Sequence, residues 1–125
     1  MKDIHKYYRI KATPEEVYAA LTKPFSIALW TGSPAVMSEE AGSEFSLFDG
    51  DIEGRNLEFE TDHKIVQEWY FGEQEDSSIV TILLRPDKLY TRVELRHTNV
   101  PEDAYEDMFQ GWDEFYFGAL KEFFE

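Results

Sequence analysis

The chain has 125 residues, with 12 Lys+Arg against 26 Asp+Glu, a formal net charge of −14, three His and no Cys. These numbers exclude a disulfide scaffold, a thiol nucleophile and zinc–thiolate or iron–sulfur sites, and so acidic a surface repels nucleic acid and anionic lipid. No apolar run reaches the roughly 18 residues of a membrane span, whereas Leu, Ile, Val and Phe supply 32 residues, enough for a packed core. One folded domain over 1–125 is expected. Met1 to Lys6 is a basic flank with no apolar segment behind it, so no secretory signal is expected and the cytoplasm is the expected compartment.

Residues 4–12 alternate, with Ile4, Lys6, Tyr8, Ile10 and Ala12 on one face and His5, Tyr7, Arg9 and Lys11 on the other, which predicts a strand. Thr13-Pro14-Glu15-Glu16 then reads as a capping box with proline at the first helical position. A short helix follows with Val17, Ala20 and Leu21 inward, and Pro24 opens a second, Phe25 to Leu29, closed before Gly32. Strand signals follow at 35–38, 43–48, 51–60, 63–71, 78–85 and 89–97. Asp49-Gly50 predicts a two-residue hairpin, 73–78 a polar loop and Arg85-Pro86-Asp87-Lys88 a turn. Such short connections favour an antiparallel meander. At 100° per residue Tyr105, Met108, Phe109, Trp112, Tyr116, Ala119, Leu120 and Phe123 share one helical face, while Gly111 and Gly118 lie opposite and each costs roughly 1 kcal/mol in a helix. The expected architecture is α+β: seven antiparallel strands in a curved sheet, two short helices, and a long C-terminal helix laid across it.

Charge is uneven. Residues 102–125 carry eight acids against Lys121. Lys2, Lys6, Arg9 and Lys11 gather at the start, and Arg85, Lys88, Arg92 and Arg96 form a second basic cluster. The plain reading is solvated polar faces. The sharper one is a basic sheet patch of Lys6, Arg9, Lys11, Arg92 and Arg96 that meets an acidic partner.

Three motifs carry a resemblance. The first runs from Ala12-Thr13-Pro14-Glu15-Glu16-Val17-Tyr18 to Leu29-Trp30-Thr31. The second runs from Gly42-Ser43-Glu44-Phe45 through Phe48-Asp49-Gly50-Asp51-Ile52-Glu53-Gly54 to Ile65-Val66-Gln67-Glu68-Trp69. The third is Asn99-Val100-Pro101 with Gly111-Trp112-Asp113-Glu114-Phe115-Tyr116-Phe117. In this order they resemble the START-like, or helix-grip, superfamily, in the branch named after the activator of the heat-shock-protein-90 ATPase. The resemblance implies a helix-grip fold whose first and last strands are neighbours. It also implies either a small apolar ligand held between sheet and helix, or docking on a chaperone or other acidic protein. Trp30, Phe45, Phe59, Trp69, Tyr105, Phe109, Trp112 and Tyr116 are expected to converge between sheet and helix, either as plain core or, as the resemblance implies, as the lining of a cavity, and a monomer or weak homodimer is expected.

Catalytic and metal readings are weaker. Asp49, Asp51, Glu53 and Glu60 with Gly54 copy the spacing of a calcium loop. Period-two alternation on both sides makes it a hairpin instead, with Gly54 at a bulge. His5, His63 and His97 have no metal-ligand spacing, and no Gly-x-Ser-x-Gly elbow occurs. A non-enzymatic domain without cofactor, metal, nucleic-acid or membrane partner is expected.

Overall fold

Period-two runs between Lys2 and Val100 pair into a single antiparallel sheet, and the apolar residues of one face demand a cover. The computed structural model describes residues 1–72 and 76–125. Its strands are β1 (Lys2–Ile10), β2 (Glu44–Leu47), β3 (Ile52–Glu60), β4 (Lys64–Trp69), β5 (Ser78–Asp87) and β6 (Tyr90–Val100), in the order β1-β6-β5-β4-β3-β2. The architecture is α+β as expected, with six strands instead of seven. The segment 35–38 contributes only a bridge from Val36 to Ser46, because the edge strand it would extend is itself just four residues long. Of the predicted polar loop 73–78, residues 73–75 lie outside the described residues.

Helices α1 (Pro14–Thr22) and α2 (Pro24–Thr31) follow β1. Thr13 Oγ1 accepts from the Glu16 amide and the Glu16 carboxylate accepts from the Thr13 amide, so the capping box forms as read. Gly32, at φ 79°, closes α2 in the left-handed region that glycine enters without penalty. Along one face of the sheet runs the C-terminal helical segment, α3 (Tyr105–Gly111), a π-helical turn (Trp112–Tyr116) and α4 (Phe117–Phe123).

Beyond Trp112 a π turn corrects the predicted stripe, while Phe109, ahead of it, lies at the stripe's exposed edge. The turn inserts one residue into the helical repeat and so rephases everything after it. Trp112, Tyr116, Phe117 and Leu120 are buried, while Phe109 and Phe123 are 40% and 41% exposed. Phe117 stacks on Tyr8 of β1 with ring centroids 4.5 Å apart. The turn also accounts for Gly118, where a Cβ would come within 2.2 Å of the Asp113 carbonyl oxygen.

Two turns differ from expectation. Leu47 pairs with Ile52, so the β2–β3 loop is the four residues 48–51 and not a two-residue turn. Phe48, Asp49 and Gly50 all have positive φ, and that run is what a longer loop needs. Gly54 is no bulge. It pairs with both Phe45 and Trp69, and a Cβ there would lie 2.0 Å from the Glu68 carbonyl and 2.8 Å from the Phe45 ring. The register shift falls between Asn56 and Glu58 instead. Glu60, the last acid of the calcium-like spacing, binds the Lys64 ammonium at 2.9 Å.

Candidate functional site

Because the C-terminal helix crosses the sheet close to the β2–β3 loop, a cleft of about 350 Å³ opens between them. The loop and sheet side is made of Phe48, Asp51, Ile52 and Trp69. From the helix, Met108, Trp112, Phe115 and Tyr116 add apolar surface, Asp107 adds a carboxylate, and Gly111 leaves space. A Cβ on Gly111 would meet nothing nearer than the Phe115 ring at 3.9 Å. The cleft is therefore a mainly apolar hollow with one carboxylate on each side, of a size that suits a small molecule or one large side chain.

The cleft floor is aromatic and packed. Trp69 stacks on Trp112 at 4.8 Å, Tyr116 lies 4.7 Å from Trp112, and Trp30 meets Tyr116 edge-on at 5.1 Å. Tyr116 is 4% exposed, and among the described residues its hydroxyl has no hydrogen-bond partner. Burial raises its pKa above the ordinary tyrosine value.

Beneath the tryptophans lie two polar networks. The Trp112 indole N–H donates to His97 Nδ1 at 3.1 Å, which fixes the proton of the neutral ring on Nε2. That proton points to Ser78 Oγ at 2.9 Å, and the Ser78 hydroxyl donates to the Thr98 carbonyl at 3.2 Å. Burial lowers the His97 pKa from its ordinary 6.5 to about 4, with Asp3 opposing. In parallel, the Trp69 indole donates to Gln67 Oε1, and the Gln67 amide donates to Asn56 Oδ1, each at 3.0 Å.

On β1, Lys6 and Tyr8 face the helix. Lys6 Nζ lies 3.0 Å from Asp113 Oδ2, donates to the Phe109 carbonyl oxygen, and sits 3.6 Å above the Phe109 ring. Tyr8 donates to Asp113 Oδ1 at 2.7 Å. Burial first, then the Asp113 carboxylate, raises the Tyr8 pKa, while the bonds from Tyr8 and Lys6 outweigh burial and lower that of Asp113.

Of the eight aromatics expected around a cavity, Trp69, Trp112 and Tyr116 line the cleft. Trp30 supports it from behind, donating its indole N–H to the Ala20 carbonyl at 2.8 Å. Phe45 lines a separate hollow of about 290 Å³ at the β2 edge, together with Val36, Gly54 and Tyr70. Phe59 is partly buried against the core away from the cleft, and Tyr105 and Phe109 lie on the helix beneath Lys2 and Lys6. The basic group divides too. Arg9, Arg92 and Arg96 stand on the helix-free face of the sheet, Lys11 is exposed just past β1, and Lys6 is on the opposite, helix-covered face. A strand's period of two separates Lys6 from Arg9, so they cannot share a patch.

The cleft residues missing from the sequence reading are Phe48, Asp51, Ile52, Asp107, Met108, Gly111 and Phe115. Gly111 was the available signal, since a glycine at a helical position next to a tryptophan marks space kept open. Among the described residues no three His, Asp or Glu side chains are grouped to hold a metal ion.

The model of the family described as "Activator of Hsp90 ATPase homolog 1-like protein" matches residues 11–125. The human activator of 90 kDa heat shock protein ATPase homolog 1 is 28% identical over 114 residues, which are 90% of this chain and 34% of the human protein. The chain spans about a third of the length of the curated relatives it matches. Among solved structures, an HSP90 activator from Plasmodium falciparum superposes with a TM-score of 0.89 at 25% identity, over 98% of this chain and 96% of that one. The Aha1 dimer from Colwellia psychrerythraea shares the fold at a TM-score of 0.85 and 22% identity, over 100% of this chain and 97% of that one. The helix laid across a six-stranded sheet and the near-complete family match together place the chain: it belongs to the family of activator of Hsp90 ATPase homolog 1-like proteins.

Proposed function

We propose that residues 1–125 form one non-catalytic binding domain that takes an apolar or aromatic group in the helix–loop cleft. The observation that carries this reading is the cleft itself: about 350 Å³, walled by Trp69, Trp112, Phe115 and Met108, with Tyr116 and Gly111 completing its lining. Among the described residues the Tyr116 hydroxyl has no hydrogen-bond partner, so it is available to donate to a ligand acceptor in the cleft.

The test uses the neutral fluorophore N-phenyl-1-naphthylamine, because carboxylates on both sides of the cleft disfavour an anionic dye. The parent chain should give a saturable fluorescence increase. Gly111→Leu should abolish it by filling the cleft, while stabilising the fold by up to ~1 kcal/mol through helix propensity. No saturable binding by the parent, or equal binding by Gly111→Leu, overturns the reading.

A second reading, action on a 90-kDa heat-shock protein, is supported by the Plasmodium chain, which is titled an HSP90 activator and is covered over 96% of its length. The ATPase rate of such a chaperone with and without this chain measures it directly. A cytoplasmic placement belongs to the same reading, and among the described residues no helix is long and apolar enough to cross a membrane. Self-association as a weak homodimer, suggested by the Colwellia dimer, is read by sedimentation.

A further inference from the structure

The sheet has a second face, which the helices leave bare. There the antiparallel register sets Arg9 opposite Arg92, and Arg92 opposite Arg85. With strands about 4.8 Å apart, three guanidinium stems stand in one row roughly 10 Å long. Like charges directly opposite each other destabilise a sheet, so folding does not explain the row. The next row is Tyr7, Glu94 and Leu83, and the one after it His5, Arg96 and Thr81. Glu94 is the single carboxylate of these three rows, and it is shared among His5 at 2.8 Å, Arg96 at 3.0 Å and Arg85 at 3.5 Å. Arg9 takes Asp87 at 3.1 Å. Arg92 has no carboxylate partner among the described residues and lies over the Tyr7 ring at 4.7 Å.

Four arginines thus face two carboxylates, an excess of two positive charges on a chain of net charge −14. Arg9, Arg85 and Arg96 keep 52%, 56% and 57% of their side-chain surface exposed. Glu94 holds two of the guanidiniums in place from below while leaving their outer N–H groups free, and a planar guanidinium presents those groups in the fork that matches a carboxylate.

We propose that this face, centred on Arg92 and flanked by Arg9, Arg85 and Arg96, docks an acidic segment of a partner protein. A protein segment fits better than a nucleic-acid duplex for two reasons. The excess of positive charge ends at β5: on the same face of β3 and β4 the cations Lys64 and Arg55 are paired with Glu58, Glu60 and Glu68, one acid in excess, which would meet the phosphates of anything broader. The rows also include Tyr7, 51% exposed, and the half-buried Leu83, which offer a peptide apolar contact between its charges. The surface lies on the opposite side of the sheet from the cleft, so the proposal stands apart from the ligand reading.

Fluorescence anisotropy of the full chain with a fluorescein-labelled oligo-glutamate peptide tests it, with oligo-glutamine and a short DNA duplex as comparisons. Oligo-glutamate should bind and oligo-glutamine should not, and affinity should fall as salt rises. Arg92→Glu should weaken binding by about tenfold or more. The variant should also melt at or above the parent temperature, since the new carboxylate sits between Arg9 and Arg85. Equal binding of the two peptides, unchanged affinity in Arg92→Glu, tighter binding of the duplex than of the peptide, or a variant that melts well below the parent each overturns the proposal.

Discussion

Glu94 and His97 lie three residues apart on β6 and point to opposite faces of the same sheet. His97 looks inward, fully buried, with both ring nitrogens engaged by Trp112 and Ser78. Glu94 looks outward and has more cations than it can neutralise; the bond from His5 first and then Arg96 lower its pKa despite the opposing effect of burial. The inner polar group is satisfied and neutral and belongs to the architecture. Glu94 is itself buried and held by its partners, and the imbalance lies in the exposed arginines around it. Charge that is matched and buried specifies a core, whereas charge that is exposed and unbalanced marks a surface made to meet something else.

The contrast is sharpened most by removing the inner partner. Trp112→Ala should destabilise the chain by about 3–5 kcal/mol in urea unfolding, since it opens a cavity beside Trp69 and leaves His97 Nδ1 without a donor. Trp112→Phe should cost a smaller ~1–2 kcal/mol, the price of the orphaned nitrogen.

The next effect is in pH. Below its ordinary pKa of 6.5 the unfolded chain protonates His97 while the folded ring stays neutral to about 4, so stability falls as pH drops through that window and its His97 component levels off beneath it. The fall attributable to His97 should be about 3 kcal/mol, read from urea midpoints together with an NMR titration of the imidazole. A ring that titrates near 6.5 in the folded protein would erase the distinction between the faces.

The smallest effect belongs outside. Arg96→Gln should change stability by no more than about 0.5 kcal/mol, because Arg96 is mostly exposed and Glu94 keeps His5 and Arg85 when it is gone. A cost of several kcal/mol would show that the outer rows hold the fold together after all.

What the sequence displayed is what short-range chemistry controls. The Thr13–Glu16 box depends on four consecutive residues and forms as written. The alternation of residues 4–12 gives β1, and the neighbouring placement of β1 and β6 follows the family resemblance. What stayed hidden depends on a change of period or on the far side of the molecule. A constant 100° step cannot foresee the π turn, so Phe117 was missed and Phe123 was placed inside, whereas Phe109, ahead of the turn, lies half-exposed against Lys6 at the edge of the stripe. Lys6 has a cation's composition and a core residue's position. Only the arrival of Asp113 and Phe109 from more than a hundred residues away explains its place. The cleft joins a hairpin tip to a helix, and three of its ten lining residues were legible because they are tryptophans and a tyrosine on predicted inner faces.

The chain of bonds from Trp69 has a consequence of direction. An indole N–H can only give, so Gln67 must receive with its oxygen and give with its nitrogen, and Asn56 repeats the same polarity one strand further on. The Asn56 amide then spends its protons on Ser43 Oγ at 3.1 Å and the Ser38 carbonyl at 3.2 Å, in the loop that leads into β2. One proton on one tryptophan thereby orients two amides and anchors a loop two strands away. A slip of β3 against β4 by a single residue would turn the Asn56 amide to the wet face and cut the wire at its middle. The core carries its own reading frame.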